Sequence, residues 1–512
     1  MSAVQNVDFL AIAPPLVLAV TAMGVLVADA FLPPRVSRLV GDCALAGIAL
    51  SLAACVALAL DGLPRRTFCV VSGLQGAGPV SCSYVADKFT LLFQFVVLLA
   101  GAVVLLMARS EIVETRLPTG EFHFLMLAAM SGALTLAAGR DLVTLIVSLE
   151  LVSLPVFVLA ALRREDGRSS EAGLKMFLIS VVSTAVMLFG LSLVYAATGT
   201  AYLDRIALAL DSAGPLGAVA AVGTVLVVVG FAFKVSAVPF HFWAPDTYEG
   251  APIAVAAFLS VVSKAAGFAG LVLILIVGFR PYTDVWGPIL AVLAALTMTV
   301  GNLVALRQHR AVRLLAWSSI AQAGYMLAPL GAAGAIADKG AGRQQDLNAL
   351  AGATVAYVAI YAAMTIGAFA VVAFVRWLGP NGGRDLDDYR GLVRTHPLIA
   401  VAFAFFLACL AGLPPGLAGL FAKVIVFRAV VDGGVAWLAV VIAVNTVIGL
   451  YYYLAWAARL FAAPPDGVTV RAGRTPYPAG AAILVAAVGT AVLSVMPQLV
   501  FGVSPLVSLA GS

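Results

Sequence analysis

Charge is what this chain has least of. Aspartate, glutamate, lysine and arginine make up 11% of its 512 residues, against 62% hydrophobic ones. A soluble domain uses roughly 25% charged and 45–50% apolar residues, so the composition excludes a soluble globular fold and points to an all-α polytopic membrane protein. Cysteine is nearly as sparse. The five present (Cys43, Cys55, Cys69, Cys82, Cys409) form no CxxC and no Cys/His cluster, which argues against a zinc or iron–sulfur site. Neither GxxxxGK[ST] nor a GxGxxG opening a helix after a strand occurs, so no cofactor, nucleotide or redox centre is expected to be bound by this chain. The net charge of +5 is no nucleic-acid signal, because arginines of membrane proteins gather in cytoplasmic loops. The first apolar stretch, about Phe9 to Leu32, is long enough to span the bilayer and stay there rather than serve as a cleaved signal.

What is present is a succession of apolar segments. At about 20 residues per span, fourteen transmembrane helices are expected, centred near residues 20, 50, 97, 130, 151, 185, 229, 265, 296, 321, 363, 414, 448 and 488. Connections after odd-numbered segments carry eighteen of the 30 lysines and arginines, and those after even-numbered segments nine. The richer side is expected to be cytoplasmic, with both termini on the outer, periplasmic side of a bacterial cell membrane. Cys69 and Cys82 fall in one outward connection. A disulfide closing that loop and two free thiols are both compatible with the sequence.

Three lysines remain, each inside an apolar segment: Lys234, Lys264 and Lys423. Glu150 joins them in the middle of the fifth. An ionisable group at the bilayer centre costs about 2.5–3.5 kcal/mol on insertion scales. A structural salt bridge between Glu150 and one lysine would still leave two amines without an acid, so the set reads as a proton path. Local chemistry agrees. Pro155 leaves the Leu151 carbonyl without a donor beside Glu150, and Pro239 is expected to do the same for Val235 beside Lys234. Ser260, Lys264 and Gly267 stand at i, i+4 and i+7, one polar and small stripe. The run Gly412–Gly419 holds two prolines and three glycines just before Lys423, so the twelfth helix should be discontinuous, like the seventh. Broken backbone at membrane depth is tolerated only inside protein or against a wet cavity.

The two interrupted helices are the fourth members of successive sets of five, helices 4–8 and 9–13. Odd-numbered repeats must be inverted relative to each other, and paired interruptions point to a transport site near the midplane. The organisation expected is therefore residues 1–120 (helices 1–3), 121–279 (first repeat), 280–462 (inverted second repeat) and 463–512 (helix 14).

The stretches FKVSAVPFHFWAPDTYEGAP, AFLSVVSKAAGFA, RLLAWSSIAQAGYML and GLYYYLAWA closely resemble the subunit N family of the proton-pumping NADH–quinone oxidoreductase, respiratory complex I. The likeness runs from about the third to the thirteenth helix. It implies an antiporter-like subunit that translocates protons through a buried charge relay. Energy would come from redox chemistry in partner subunits, which would hold FMN, the iron–sulfur clusters and the quinone site. Carried over by motif, the relay residues are Glu150, Lys234, Lys264 and Lys423. Partners implied are the other membrane-arm subunits, including sister antiporter-like ones. Mrp-type cation/proton antiporter subunits share the PFHxWxPD-like stretch and are the alternative; their eighth helix usually carries a histidine where this chain has Lys264. The family's SSIAH is SSIAQ here, with Gln322 in place of the histidine, and Ala455 stands where a basic residue often follows YYYL.

Lesser candidates have ordinary readings. His241 and Asp246 suit proton uptake less well than helix-end capping. His309 sits in a basic loop, and Asp29 reads as an interfacial anchor. Tyr451 to Tyr453 are expected to pack as an aromatic face.

Overall fold

The computed structural model describes residues 7–31, 37–70, 80–163, 165–212, 214–336, 342–378, 382–463 and 477–501. Among the basic residues that orient the chain, Arg35, Arg164, Lys339, Arg471 and Arg474 lie outside them, as do both termini.

Helices dominate: α1 Phe9–Phe31, α2 Ser37–Asp61, α3 Lys88–Thr115, α4 Thr119–Ala138, α5 Leu142–Ala160, α6 Gly167–Thr198, α7 Leu203–Leu210 and α8 Gly217–Lys234. The chain continues through α9 Trp243–Gly250, α10 Ile253–Phe258, α11 Lys264–Leu273, α12 Thr283–Ala305, α13 Ala311–Gly331 and α14 Gly342–Leu378. It ends with α15 Leu392–Thr395, α16 Pro397–Ala411, α17 Leu417–Asp432, α18 Ala436–Phe461, α19 Tyr477–Val495 and α20 Gln498–Phe501. Among the described residues, twelve helices are long and apolar enough to cross a membrane. The chain is thus an all-α polytopic membrane protein. Two further expected spans are not among the twelve. α13 is almost wholly buried, and the twelfth segment is divided into α16 and α17.

The centre is built from the most enclosed helices. The span Ile253–Gly278 is wholly buried, as is 89% of the apolar window of Arg343–Leu378, against 28% of that of Gly167–Thr198. A helix with no polar stripe must be enclosed, and one with a single packed face sits outside. Ile253–Gly278 is α10 and α11 joined by a π-helical turn, Leu259–Ser263, immediately before Lys264. Such turns disturb the regular i→i−4 ladder and concentrate at functional positions.

The expected outward loop forms a small antiparallel hairpin, β1 Arg65–Cys69 paired with β2 Cys82–Ala86, and Cys69 and Cys82 are joined in a disulfide. Arg65 binds Asp8 at 2.8 Å and pairs also with Asp61. The hydrogen bond it donates to Asp8 is the first cause holding that guanidinium above its ordinary range. Arg65, Arg140 and Arg205 gather around the hairpin end. Arg163, Arg310, Arg376 and Arg384 surround one cavity.

Candidate functional site

Lys234 is the last residue of α8 and only 6% exposed. The helix ends there, so Val235 is not the helical residue that the Pro239 argument required. Its N–H closes onto the Phe231 carbonyl at 2.9 Å, and the chain then reverses through Ser236, at φ 62°. A non-glycine residue in that region costs about 1–2 kcal/mol. Trp243 Nε1 donates to the Phe233 carbonyl at 3.2 Å, pinning the returning chain. The Lys234 ammonium donates to Ser153 Oγ of α5 at 2.7 Å, and Ser153 in turn donates to the Leu149 carbonyl at 2.6 Å. Its stem lies against Gly267 of α11, where a Cβ would come within 3.1 Å of Lys234 Cγ.

Glu150 lies one turn earlier on α5 and accepts from Thr184 Oγ1 at 2.8 Å. Among the described residues, the ion pairs include none of Glu150, Lys234, Lys264 and Lys423. The four groups are not held as salt bridges in this conformation.

Lys264, 2% exposed, donates to the carbonyl and the hydroxyl of Ser319 on α13, both at 2.5 Å. Its nitrogen stands 5.7 Å from the centre of the Tyr361 ring. The expected Ser260–Lys264–Gly267 stripe is divided between two partners. Ser260 Oγ lies 3.4 Å from Ser319 Oγ and 2.9 Å from Tyr361 Oη, so it joins Lys264 on α13. Gly267 makes room for Lys234 instead.

Lys423 exploits the break between α16 and α17. A helix end leaves four carbonyls without intrahelical donors, and here all four are used. The Ala408 carbonyl accepts from Gly412 and Leu413, and that of Cys409 from Gly412. The Leu410 carbonyl accepts from Gln322 Nε2 at 3.4 Å, and the Ala411 carbonyl from Lys423 Nζ at 2.7 Å. Gly412 is required twice over: its φ is +81°, and a Cβ would stand 3.0 Å from Lys423 Cδ. The Lys423 nitrogen also lies 5.5 Å from the centre of the Tyr325 ring, a cation–π contact.

Residues outside the expected relay complete the connection. Ser318, next to the Lys264 acceptor, lies 2.5 Å from Tyr453 Oη. Gln322 donates to that same oxygen at 3.1 Å and accepts from Tyr357 Oη at 2.5 Å. Tyr357 stacks on Tyr325 at 6.1 Å. Polar groups therefore run from the Lys264 acceptor along α13 to the carbonyl adjoining the one that holds Lys423. Tyr453 departs from the aromatic-face expectation, since its hydroxyl is part of this connection; Tyr452 bonds Asn302 Oδ1 at 2.9 Å and Tyr451 is 68% exposed. A helical repeat was available in the sequence: Ser318, Gln322 and Tyr325 are spaced i, i+4, i+7, and Tyr357 and Tyr361 i, i+4.

The lesser candidates stand apart. Asp246 pairs with Arg313 at 3.0 Å and Lys175 at 3.2 Å. His241 packs edge-on against Trp317, with ring centres 5.2 Å apart. His309 is exposed, and Asp29 abuts Gly120 of α4. Among the described residues no group of three or more His, Cys, Asp or Glu could hold a metal ion.

An enclosed helix with a buried lysine, flanked by two broken helices each offering another, defines an antiporter-like membrane subunit. Comparison with known proteins narrows the class. The family described as NADH:quinone oxidoreductase/Mrp antiporter, TM, matches residues 139–449, and the chain belongs to it. Curated relatives include NADH-quinone oxidoreductase subunit N 2 of Streptomyces griseus, 51% identical over 98% of this chain and 93% of that protein. F(420)H(2) dehydrogenase subunit N of Methanosarcina mazei is 35% identical over 98% of each. Among solved structures, a chain of respiratory complex I from Thermus thermophilus is similar at 32% identity, with TM-score 0.70, covering 96% of this chain and 98% of that one.

Proposed function

We propose that this chain is a proton-translocating membrane-arm subunit of an NADH–quinone oxidoreductase. Glu150, Lys234, Lys264 and Lys423 form its relay. The reading adds two short or buried segments to the twelve long spans: α13, and α16 with α17. That makes fourteen transmembrane helices, with inverted repeats over residues 121–279 and 280–462, flanked by 1–120 and 463–512. Supporting this, helices break after Lys234 and after Ala411, and a pair of interrupted helices is what two repeats around one transport site would present. Both termini face outward from a bacterial cell membrane in this reading. Quinone, FMN and iron–sulfur clusters belong to partner subunits, whose redox chemistry supplies the energy. The Methanosarcina relative takes its name from a complex with another electron donor, so the donor is a property of the partners.

The observation that carries the reading is the hydrogen-bonding of the three amines. Each is buried, lacks an ion-pair partner among the described residues, and donates only to neutral oxygens. Such a lysine loses less on releasing its proton than one paired with a carboxylate, because no buried acid is left uncompensated. Protons pass to Lys234 and Lys264, with Glu150 tuning Lys234, and then along the α13 polar groups to Lys423 and outward. Moving one charge across 100 mV takes about 2.3 kcal/mol, comparable with the cost of changing one buried hydrogen-bond partner.

The test is proton pumping by the assembled complex carrying Lys234→Ala, Lys264→Ala or Lys423→Ala singly. Each is expected to abolish or severely reduce the gradient formed per quinone reduced. Full coupling at normal assembly would remove that lysine from the relay. An Mrp-type antiporter would instead show sodium-dependent exchange by a preparation without flavin or iron–sulfur subunits.

A further inference from the structure

A cavity of about 590 Å³ opens where α3, α5, α10 and α14 end together, far larger than the about 30 Å³ that one water takes in the liquid. Its charges are unevenly satisfied. Glu111 pairs with Arg163, and its two oxygens also accept from the N–H groups of Ile253 and Ala254, at 2.9 and 3.0 Å. Arg310 pairs with Glu249 at 2.8 Å. Arg376 and Arg384 line the same space, and among the described residues neither guanidinium has an ion pair or hydrogen bond. Arg163 Nε is buried and also without a partner. The remaining rim acids are Glu114 and Asp385. Both are exposed.

We infer that this cavity binds the phosphate group of an anionic membrane lipid. Three guanidinium groups with unused donors offer the forked geometry that matches phosphate oxygens. Arg384 is exposed and Arg376 half-buried, and a partner for the buried Arg163 Nε would remove the penalty of that unpaired donor. The rim argues for a lipid rather than a free ion. Trp377, adjacent to Arg376, lines the cavity and is 40% exposed, while Ala479 brings in the first turn of α19, whose leading residue Tyr477 is 89% exposed. Exposed tryptophan and tyrosine mark the headgroup level of a bilayer, where the cavity would admit the phosphate while acyl chains lie along the helices.

The experiment uses the intact complex containing this chain, delipidated in detergent and titrated with acyl-brominated phosphatidylglycerol or phosphatidylcholine. The signal is the tryptophan quenching that Trp377→Phe removes. Phosphatidylglycerol is expected to bind about tenfold or more tightly, because the choline of phosphatidylcholine brings a cation toward the arginines that line the cavity. The double variant Arg376→Gln with Arg384→Gln should abolish that preference. Inorganic phosphate is expected to leave the quenching unchanged. Displacement by phosphate would assign the cavity to a free anion and overturn the lipid. Equal binding of the two lipids by the unmodified complex would overturn the site itself, whether or not the double variant assembles.

Discussion

Ser153 and Gln322 carry more of the site than their chemistry advertises. Ser153 is the acceptor for Lys234, so Ser153→Ala leaves a buried ammonium without its partner, a loss of about 1–3 kcal/mol. Pumping should fall while assembly persists, and Ser153→Thr should restore it, measured as gradient formation in membrane vesicles. Gln322 bridges Tyr453 to the carbonyl beside the Lys423 acceptor. Gln322→Leu removes these two bonds and the one Gln322 accepts from Tyr357; it should lower pumping and spare quinone reduction in uncoupled membranes. If Gln322→Leu pumps normally, transfer between Lys264 and Lys423 does not follow α13. The four charged members were legible because ionisable groups in an apolar run are few and costly. Their neutral partners were not. Serine, tyrosine and glutamine are common in membrane helices, and only the rotation of α5, α13, α14 and α18 about their axes decides which of them converge.

At the level of elements, the breaks were readable because proline and glycine act on the backbone wherever the helix packs. What the backbone signal could not say is who would claim the freed carbonyls. At α16 the claimants lie on α13 and α17, far apart in sequence. Gly412→Ala adds a methyl group at φ +81° against the Lys423 side chain. Left-handed strain alone costs about 1–2 kcal/mol, so the variant should lower the unfolding temperature and, by moving Lys423, depress pumping more than stability. The start of α10 behaves similarly. Glu111 caps it with both oxygens and pairs with the largely enclosed Arg163. Breaking a buried pair from one side costs about 3–5 kcal/mol. Glu111→Ala should therefore destabilise the helix that carries Lys264, seen as faster amide exchange along Ile253–Gly278. The hairpin β1–β2 had no sequence expectation beyond a loop, since five-residue strands without clear alternation resemble any polar connection.

For the whole molecule, composition alone was enough to set the solvent, because a chain with so little charge has no aqueous surface to present. The disulfide between Cys69 and Cys82 is a statement about compartment. Alkylation of the denatured, unreduced protein should label Cys43, Cys55 and Cys409, the free thiols, and reduction should add two labels more. Five labels without reduction would place the hairpin in a reducing compartment and reverse the orientation proposed from the arginine bias. Loss of a loop closure of this size costs about 3 kcal/mol, so Cys82→Ser should also be measurably less heat-stable.

Glu150 and Ser153 stand three residues apart on one face of α5, a rise of about 4.5 Å. The Lys234 side chain ends on a flexible four-carbon tether and is moored to the neutral oxygen. The acidic berth is a single step along the same wall. A shift of less than one turn between α5 and α8 would carry the amine from one to the other, changing its appetite for a proton without remaking any helix. In the proposed relay, two berths this close would let a movement of a few ångströms switch the amine between a neutral and an acidic neighbour.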